Sequence, residues 1–295
     1  MRRLLLSAAA TALLLSPLAC DVEKTGNQLV APKMMVGALL STPSVEFSPA
    51  AMAGLDAGTL PDGGTFGETV TIPGQTMAFV FFGTRKNEAG QPSPISEGAD
   101  LRLEIQGESP VSLSGGGQGV YSRTSSSEPD GEIPYRSGAS YRFVAAHEGY
   151  AHVATVEEAP LQEKLDGLHP SEGYVQHTAN QGLTLQRPPV ARGETRNMGF
   201  VTVFALDSNG ERGQEPTYTN APDPTDPLAI LQFVAMPEKW TGESVTIPGS
   251  AFPQPDSTYL VVFHTANMGG PESDNLFIGS TVLVGTADVG VVHTQ

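Results

Sequence analysis

Val245–Thr246–Ile247–Pro248 and Thr258–Tyr259–Leu260–Val261–Val262–Phe263 are the two runs, inside Glu243–Ser273, whose reading decides the fold. The first is a short β-branched run of the kind that packs well on a pleated surface, and the proline stops it. Residues 249–257 form a connection bearing Pro and Ser, and the second run is again strand-like. A looser copy lies upstream, where Glu132–Ile133–Pro134 precedes Ser140–Tyr141–Arg142–Phe143–Val144–Ala145. Strand, turn-rich connection, strand is the grammar of an all-β protein.

The composition supports that reading. The 33 Gly and 24 Pro are spread between short apolar runs, and only 16% of residues are charged. Frequent turns between short strands fit this distribution. Leu101–Arg102–Leu103–Glu104–Ile105 alternates strictly, which marks a strand with one face in a core and one in water. Other strands are expected at 70–72, 77–82, 111–113, 120–123, 141–146 and 152–156. Downstream they are expected at 174–178, 183–185, 200–206, 228–234, 245–247, 259–264, 277–284 and 289–293. Glu157 to Leu165 reads as one or two helical turns closed by Gly167.

The segment Ala78–Phe79–Val80–Phe81–Phe82 resembles Phe200–Val201–Thr202–Val203–Phe204, and Tyr141 matches Tyr259 at a similar spacing. Matching landmarks this far apart point to a divergent duplication. The expected division is a leader over 1–19, a tether over 20–40, a sandwich over 41–160, a linker over 161–171 and a second sandwich over 172–295.

The leader has a basic start, Arg2–Arg3, and an apolar core from Leu4 to Leu15, as in a secretory signal. That core is shorter than the roughly twenty residues a membrane span needs. It ends in Pro17–Leu18–Ala19–Cys20, and Cys20 is the only cysteine of the chain. This resembles the lipobox of bacterial lipoproteins, although Pro17 stands where that family usually has Leu. The resemblance implies lipidation of Cys20 and attachment of the exported chain to a membrane. Asp21 follows, a residue read as inner-membrane retention by a sorting rule that not all bacteria share, so inner and outer membrane both stay open.

A second resemblance rests on Ile247–Pro248–Gly249, Ser257–Thr258–Tyr259, Val261, Phe263, Ala266, Asn267, Gly269 and Ser273. These look like the second half of a fibronectin type III or related immunoglobulin-like module. In such sandwiches a tyrosine bonds back to the chain upstream, the tyrosine corner. The resemblance gives that role to Tyr141 and Tyr259. The early tryptophan of the family is missing, since the single Trp is Trp240. Such modules serve as spacers, adhesive units and binding platforms.

With 32 acidic against 16 basic residues, two of which leave with the leader, the surface repels phosphate backbones and anionic headgroups. Nucleic acid is therefore not an expected partner. His147–Glu148–Gly149–Tyr150–Ala151–His152 spaces its histidines by five where a helical zinc motif needs four, and it reads as a turn with two exposed histidines. Asp207–Ser208–Asn209–Gly210–Glu211 has oxygen ligands before a glycine, and Asp223 and Asp226 lie downstream; a tight turn explains it, with calcium as the rival reading. Glu157–Glu158 sits in a solvated position, and there is no Gly-x-Ser-x-Gly elbow. No catalytic, metal or cofactor site is expected. The expectation is a lipid-anchored envelope protein with a binding, scaffolding or accessory role toward a protein or glycan. A carbohydrate-binding module and a hydrolase with an interdomain site are the rivals.

Overall fold

The computed structural model describes residues 23–47, 69–85, 92–128, 130–223 and 226–295. The leader and Cys20 lie outside the described residues. The first half carries helix α1 (residues 23–30) and strands β1 (Lys33–Thr42), β2 (Val45–Phe47), β3 (Val70–Ile72), β4 (Gln75–Thr84) and β5 (Ser93–Pro94). It continues with β6 (Ala99–Ile105), β7 (Val111–Gly117), β8 (Val120–Ser126), β9 (Tyr141–His147) and β10 (Tyr150–Val156). The second half has β11 (Val175–His177), β12 (Leu183–Gln186), β13 (Met198–Leu206), β14 (Tyr218–Thr219) and helix α2 (Pro227–Val234). It ends with β15 (Ser244–Ile247), β16 (Thr258–Pro271) and β17 (Thr281–Thr294).

The protein is mostly β, and one large mixed sheet dominates it. In that sheet β17, β1, β4, β8, β7, β6, β9, β10 and β16 follow one another, and β16 pairs again with β17. Among the described residues that ring closes on itself, and β11, β13–β14 and β5 branch from it. It encloses a first core of Met35, Leu39, Val80, Phe82, Leu101, Leu103, Tyr141, Phe143 and Val282, among others. A second core lies between β17, β16 and β13 on one side and the separate β12–β15 pair on the other, around Leu185, Val201, Ile247, Phe252, Tyr259 and Phe263.

The hairpin β16–β17 belongs to both cores. Its pairing runs from Thr258↔His293 to Gly269↔Val282. Near its turn, β17 pairs in parallel with β1, Val36↔Thr281 through Ser41↔Thr286, and β16 pairs with β10 at Gly270 and Pro271. Away from the turn, β16 takes β13 and β17 takes β11. Gly269 allows the handover: a Cβ there would meet the Thr155 carbonyl oxygen at 1.9 Å. The outer face of the sheet is covered in two places. Helix α2 and Trp240 cover Met34, Val36, Phe79, Phe81 and Phe200, and the β2–β3 pair covers Leu260, Val262, Val289 and Val291. Each half thus sends an excursion across the other.

Several expectations are corrected. Residues 33–40, expected within a tether, form most of β1, a strand buried on both faces; its near-continuous apolar run is what two-sided burial selects. The run at 228–234 is helix α2, not a strand. Pro227 suits a first helical turn, and Ile230 and Phe233, three apart, bury one face against Phe200 and Trp240. The two strands expected at 277–284 and 289–293 are one, β17, whose polar inward residues Thr286 and Asp288 are buried.

The linker expected over 161–171 is packed. Leu165 and Leu168 are buried in the second core, and Gln162 Nε2 donates to the Ala287 carbonyl at 2.9 Å. The helical turns expected at 157–165 are absent; a single 3-10 turn forms at Asp166–Leu168 instead. Because the shared hairpin crosses from one core to the other, no cut at 161–171 yields two complete sandwiches. The matched segments around Phe79 and Phe200 also occupy different places: β4 lies between β1 and β8, whereas β13 lies between β16 and β14. The strand beside Tyr141 that corresponds to β13 is β6.

Candidate functional site

A cleft of about 880 Å³ opens between the 161–167 segment and the 184–197 stretch that contains the end of β12. It is built on one buried side chain. Arg187 follows β12 directly, and its guanidinium lies over the Phe263 ring, 5.3 Å from the centroid. Gly199 makes room for it, since a Cβ there would stand 2.9 Å from the guanidinium carbon.

All five guanidinium donors are used. Nε and Nη2 hold Glu163 at 2.6 and 2.8 Å, Nη1 donates to the Trp240 and Gly242 carbonyls, and Nη2 also donates to Asn197. Arg196 adds a second cation 3.6 Å from Glu163. A buried arginine matched with one carboxylate and three carbonyls is fully satisfied, which is the condition for burying such a charge.

Above this floor the cleft is mixed: exposed Lys164, Asp166 and Glu194 line it together with apolar side chains. Leu161 is 74% and Val190 43% exposed at its rim, with Pro188 and Pro189 between. One wall is the outer edge of β12, which among the described residues pairs with β15 alone, in the register Leu183↔Ile247 to Gln186↔Ser244. Arg187 N donates to Glu243 O, so residues 187, 185 and 183 bond toward β15. The antiparallel alternation then turns the N–H and C=O groups of Thr184 and Gln186 outward, into the cleft. Both residues are exposed. No aromatic side chain lines this cleft. Chemically, the cleft offers a strand edge and a rim of mixed character, while its Arg–Glu floor is already spent on the protein itself.

The residues singled out in the sequence fall elsewhere. Tyr141 and Tyr259 are buried in the two cores. The Tyr141 hydroxyl accepts from Arg136 N at 2.8 Å and donates to Pro134 O at 3.2 Å. The Tyr259 hydroxyl accepts from Gln254 N at 3.1 Å and donates to Gln254 O at 3.4 Å. Burial pushes the Tyr141 hydroxyl pKa up to about 12.

The histidines of the β9–β10 turn are not exposed. His147 keeps 11% of its side chain at the surface and His152 is buried, and both rings pack on Phe82. They share the inward face of the hairpin because five residues across a two-residue turn return the chain to the same side. Burial, with Lys33 and His147 adding to it, holds His152 below the usual histidine range. Among the described residues no three His, Cys, Asp or Glu side chains gather in metal-binding geometry.

The acidic loop is a turn. Asp207 Oδ1 accepts from Asn209 N at 2.9 Å and Glu211 N at 2.8 Å, and Arg212 lies over Phe204. Glu157 and Glu158 are exposed. What the sequence reading missed is the Arg187–Glu163 pair. Its members are 24 residues apart, one in a stretch read as linker, and no local pattern couples them.

No family model matches the chain, and no curated protein matches it. Among solved structures there is a weak match to the fibronectin type III domains FN1–FN3 of chicken CNTN1, at 10% identity and a TM-score of 0.24. It covers 88% of this chain and 68% of that one.

Proposed function

We propose that this chain is a lipid-anchored cell-envelope protein that works by binding and not by catalysis. In this reading two immunoglobulin-like sandwiches, a divergent pair, are fused across the shared hairpin β16–β17, and Cys20 carries the lipid that holds them at a membrane. The partner is an extended segment of another envelope protein, laid along the outer edge of β12.

The observation that supports this is the cleft: outward-facing backbone groups at Thr184 and Gln186 beside the exposed Leu161 and Val190, over an Arg187–Glu163 pair already satisfied internally. Strand addition to a free edge takes its affinity from main-chain hydrogen bonds and its selectivity from flanking pockets. General acid–base chemistry uses a carboxylate poised within a site; Glu163 on the floor is held by two arginines, and the other charges of the cleft, Lys164, Asp166 and Glu194, are exposed to solvent. Glycan recognition ordinarily uses aromatic platforms, which this cleft lacks.

The test is a cross-linked pull-down of the tagged full-length protein from native envelopes beside Cys20→Ala and Gln186→Pro forms. Proline at 186 removes an outward N–H and leaves the bonds of Leu185 and Arg187 to β15 in place. The expected result is a stoichiometric protein partner that is lost with Gln186→Pro at unchanged fold, and a Cys20→Ala form released from the membrane. A partner retained by Gln186→Pro overturns the edge; a Cys20→Ala form held as firmly as the parent overturns the anchor.

A further inference from the structure

Helix α1 is built the wrong way round for a helix that only caps a fold. Its one buried residue is the polar Gln28, while Leu29 is 52% and Val30 77% exposed. Gln28 clamps the helix down: its Nε2 donates to the Pro271 and Ser273 carbonyls at 3.1 and 3.2 Å, at the end of β16 and the start of the loop to β17. From the same loop, Ile278 N donates to the Gln28 carbonyl at 3.0 Å, which brings Ile278, 39% exposed, beside the two apolar residues.

Arg85 Nη1 donates to Leu29 O at 2.5 Å and its guanidinium stands 4.7 Å over the Phe277 ring. On the neighbouring hairpin, Glu148 pairs with Lys33 at 3.2 Å, and Tyr150, 66% exposed, follows two residues later. Exposed aliphatic side chains with an arginine and a tyrosine among them make an interfacial surface: apolar groups enter the acyl boundary, and amphipathic ones lie at headgroup level.

The occupant follows from chain length. Three residue steps separate Cys20 from Glu23, the first residue of α1, and these span at most about 11 Å. A lipid on Cys20 therefore leaves no room for a long tether, and α1 has to sit at the headgroups. We propose that α1 and the Ile278 end of the 271–280 loop form a membrane-contact face that lays the protein on the bilayer, with Leu29, Val30 and Ile278 at the acyl boundary and the exposed Glu272 and Asp274 left in water. The placement rests on the lipid-anchored reading above; the affinity of the face for lipid does not.

The test holds the mature Cys20→Ala chain on zwitterionic phosphatidylcholine vesicles through an N-terminal histidine tag and nickel-chelating lipid. A polarity-sensitive fluorophore is attached in turn to Leu29→Cys, Ile278→Cys and, as control, Ser208→Cys beyond the far end of β13. The expected result is a blue shift and several-fold stronger quenching by bilayer-embedded nitroxide at 29 and 278 than at 208. Adding Asp at the other of the two positions should cancel it. Labels at 29 and 278 as open to aqueous iodide as the label at 208 overturn the proposal. So does protection that appears in native envelopes and not on pure lipid, which assigns the face to a protein. The anchor is judged separately, from the mass of the Cys20 peptide isolated from envelopes.

Discussion

Arg187 grips Glu163 in a two-pronged ion pair, Nε to Oε1 at 2.6 Å and Nη2 to Oε2 at 2.8 Å, with 1% of the arginine side chain exposed. The pair ties the 161–171 crossing to the end of β12 and forms the floor of the cleft. Removing one member leaves the other charge buried without its partner, which costs about 3–5 kcal/mol in such settings. Glu163→Gln and Arg187→Ala should each lower stability by that order in urea melts. Arg187→Lys should recover little, because an ammonium cannot span a carboxylate and three carbonyls at once. A Glu163→Gln variant as stable as the parent would remove the pair from the account of the cleft.

The shared hairpin makes the two cores one folding unit. Residues 172–295 expressed alone would leave Val282 and Val284 facing water, since their cover comes from the core built on β1 and β4. Two such side chains, at about 1.5–3 kcal/mol each, take a large share of the roughly 5–15 kcal/mol by which a domain is stable. The expected outcome is a fragment with poorly dispersed NMR spectra, and a full chain that melts in a single calorimetric transition. Two separated transitions in the full chain, or a well-dispersed fragment, would show that the halves stand alone.

How far the sequence reveals this architecture depends on which physics is local. Leu101–Ile105 alternates because one face is wet, so β6 reads correctly from five residues. Val245–Ile247 and Tyr259–Phe263 read as strands because β-branched and aromatic residues there are stopped by proline and turns. The run at Ile230–Phe233 does not declare itself: three apolar residues and a glutamine fit helix and strand alike until Trp240 supplies the surface to pack on. Met34–Leu40 looks like loosely apolar tether because its partners, β4 and β17, lie far along the chain. The cleft was the least legible feature. An edge is a statement about which strand is absent, and nothing in Leu183–Gln186 records that.

The two tyrosines fix the bends that enter the central strands β9 and β16. Tyr141→Phe and Tyr259→Phe remove only the hydroxyl, at about 1–3 kcal/mol for a buried donor left unmatched. Tyr141→Phe should cost more, because its hydroxyl joins two separate residues, Arg136 and Pro134, where that of Tyr259 returns both bonds to Gln254. The sites share no partner, so the double variant should be additive in urea denaturation. Equal and negligible losses would mean that packing alone holds the two bends.

Acid should weaken the fold through His264. Its ring stacks on Phe200 with 5.0 Å between centroids, its Nδ1 is shut from water without a partner, and burial pushes its pKa down to about 4. Part of the residue still reaches the surface. The unfolded chain takes up a proton near the ordinary histidine value of 6.5 while the folded chain does not, so the stability is whole above that pH and falls as pH drops toward 4. A shift of this size corresponds to at most about 3 kcal/mol, and to less where solvent reaches the ring. His152, also held below the usual range by burial, acts with the same sign. His264→Phe keeps the aromatic stack and has nothing to protonate, so its stability between pH 7 and 4 should fall less steeply than that of the parent. Parallel pH profiles for the two proteins would place the acid sensitivity elsewhere.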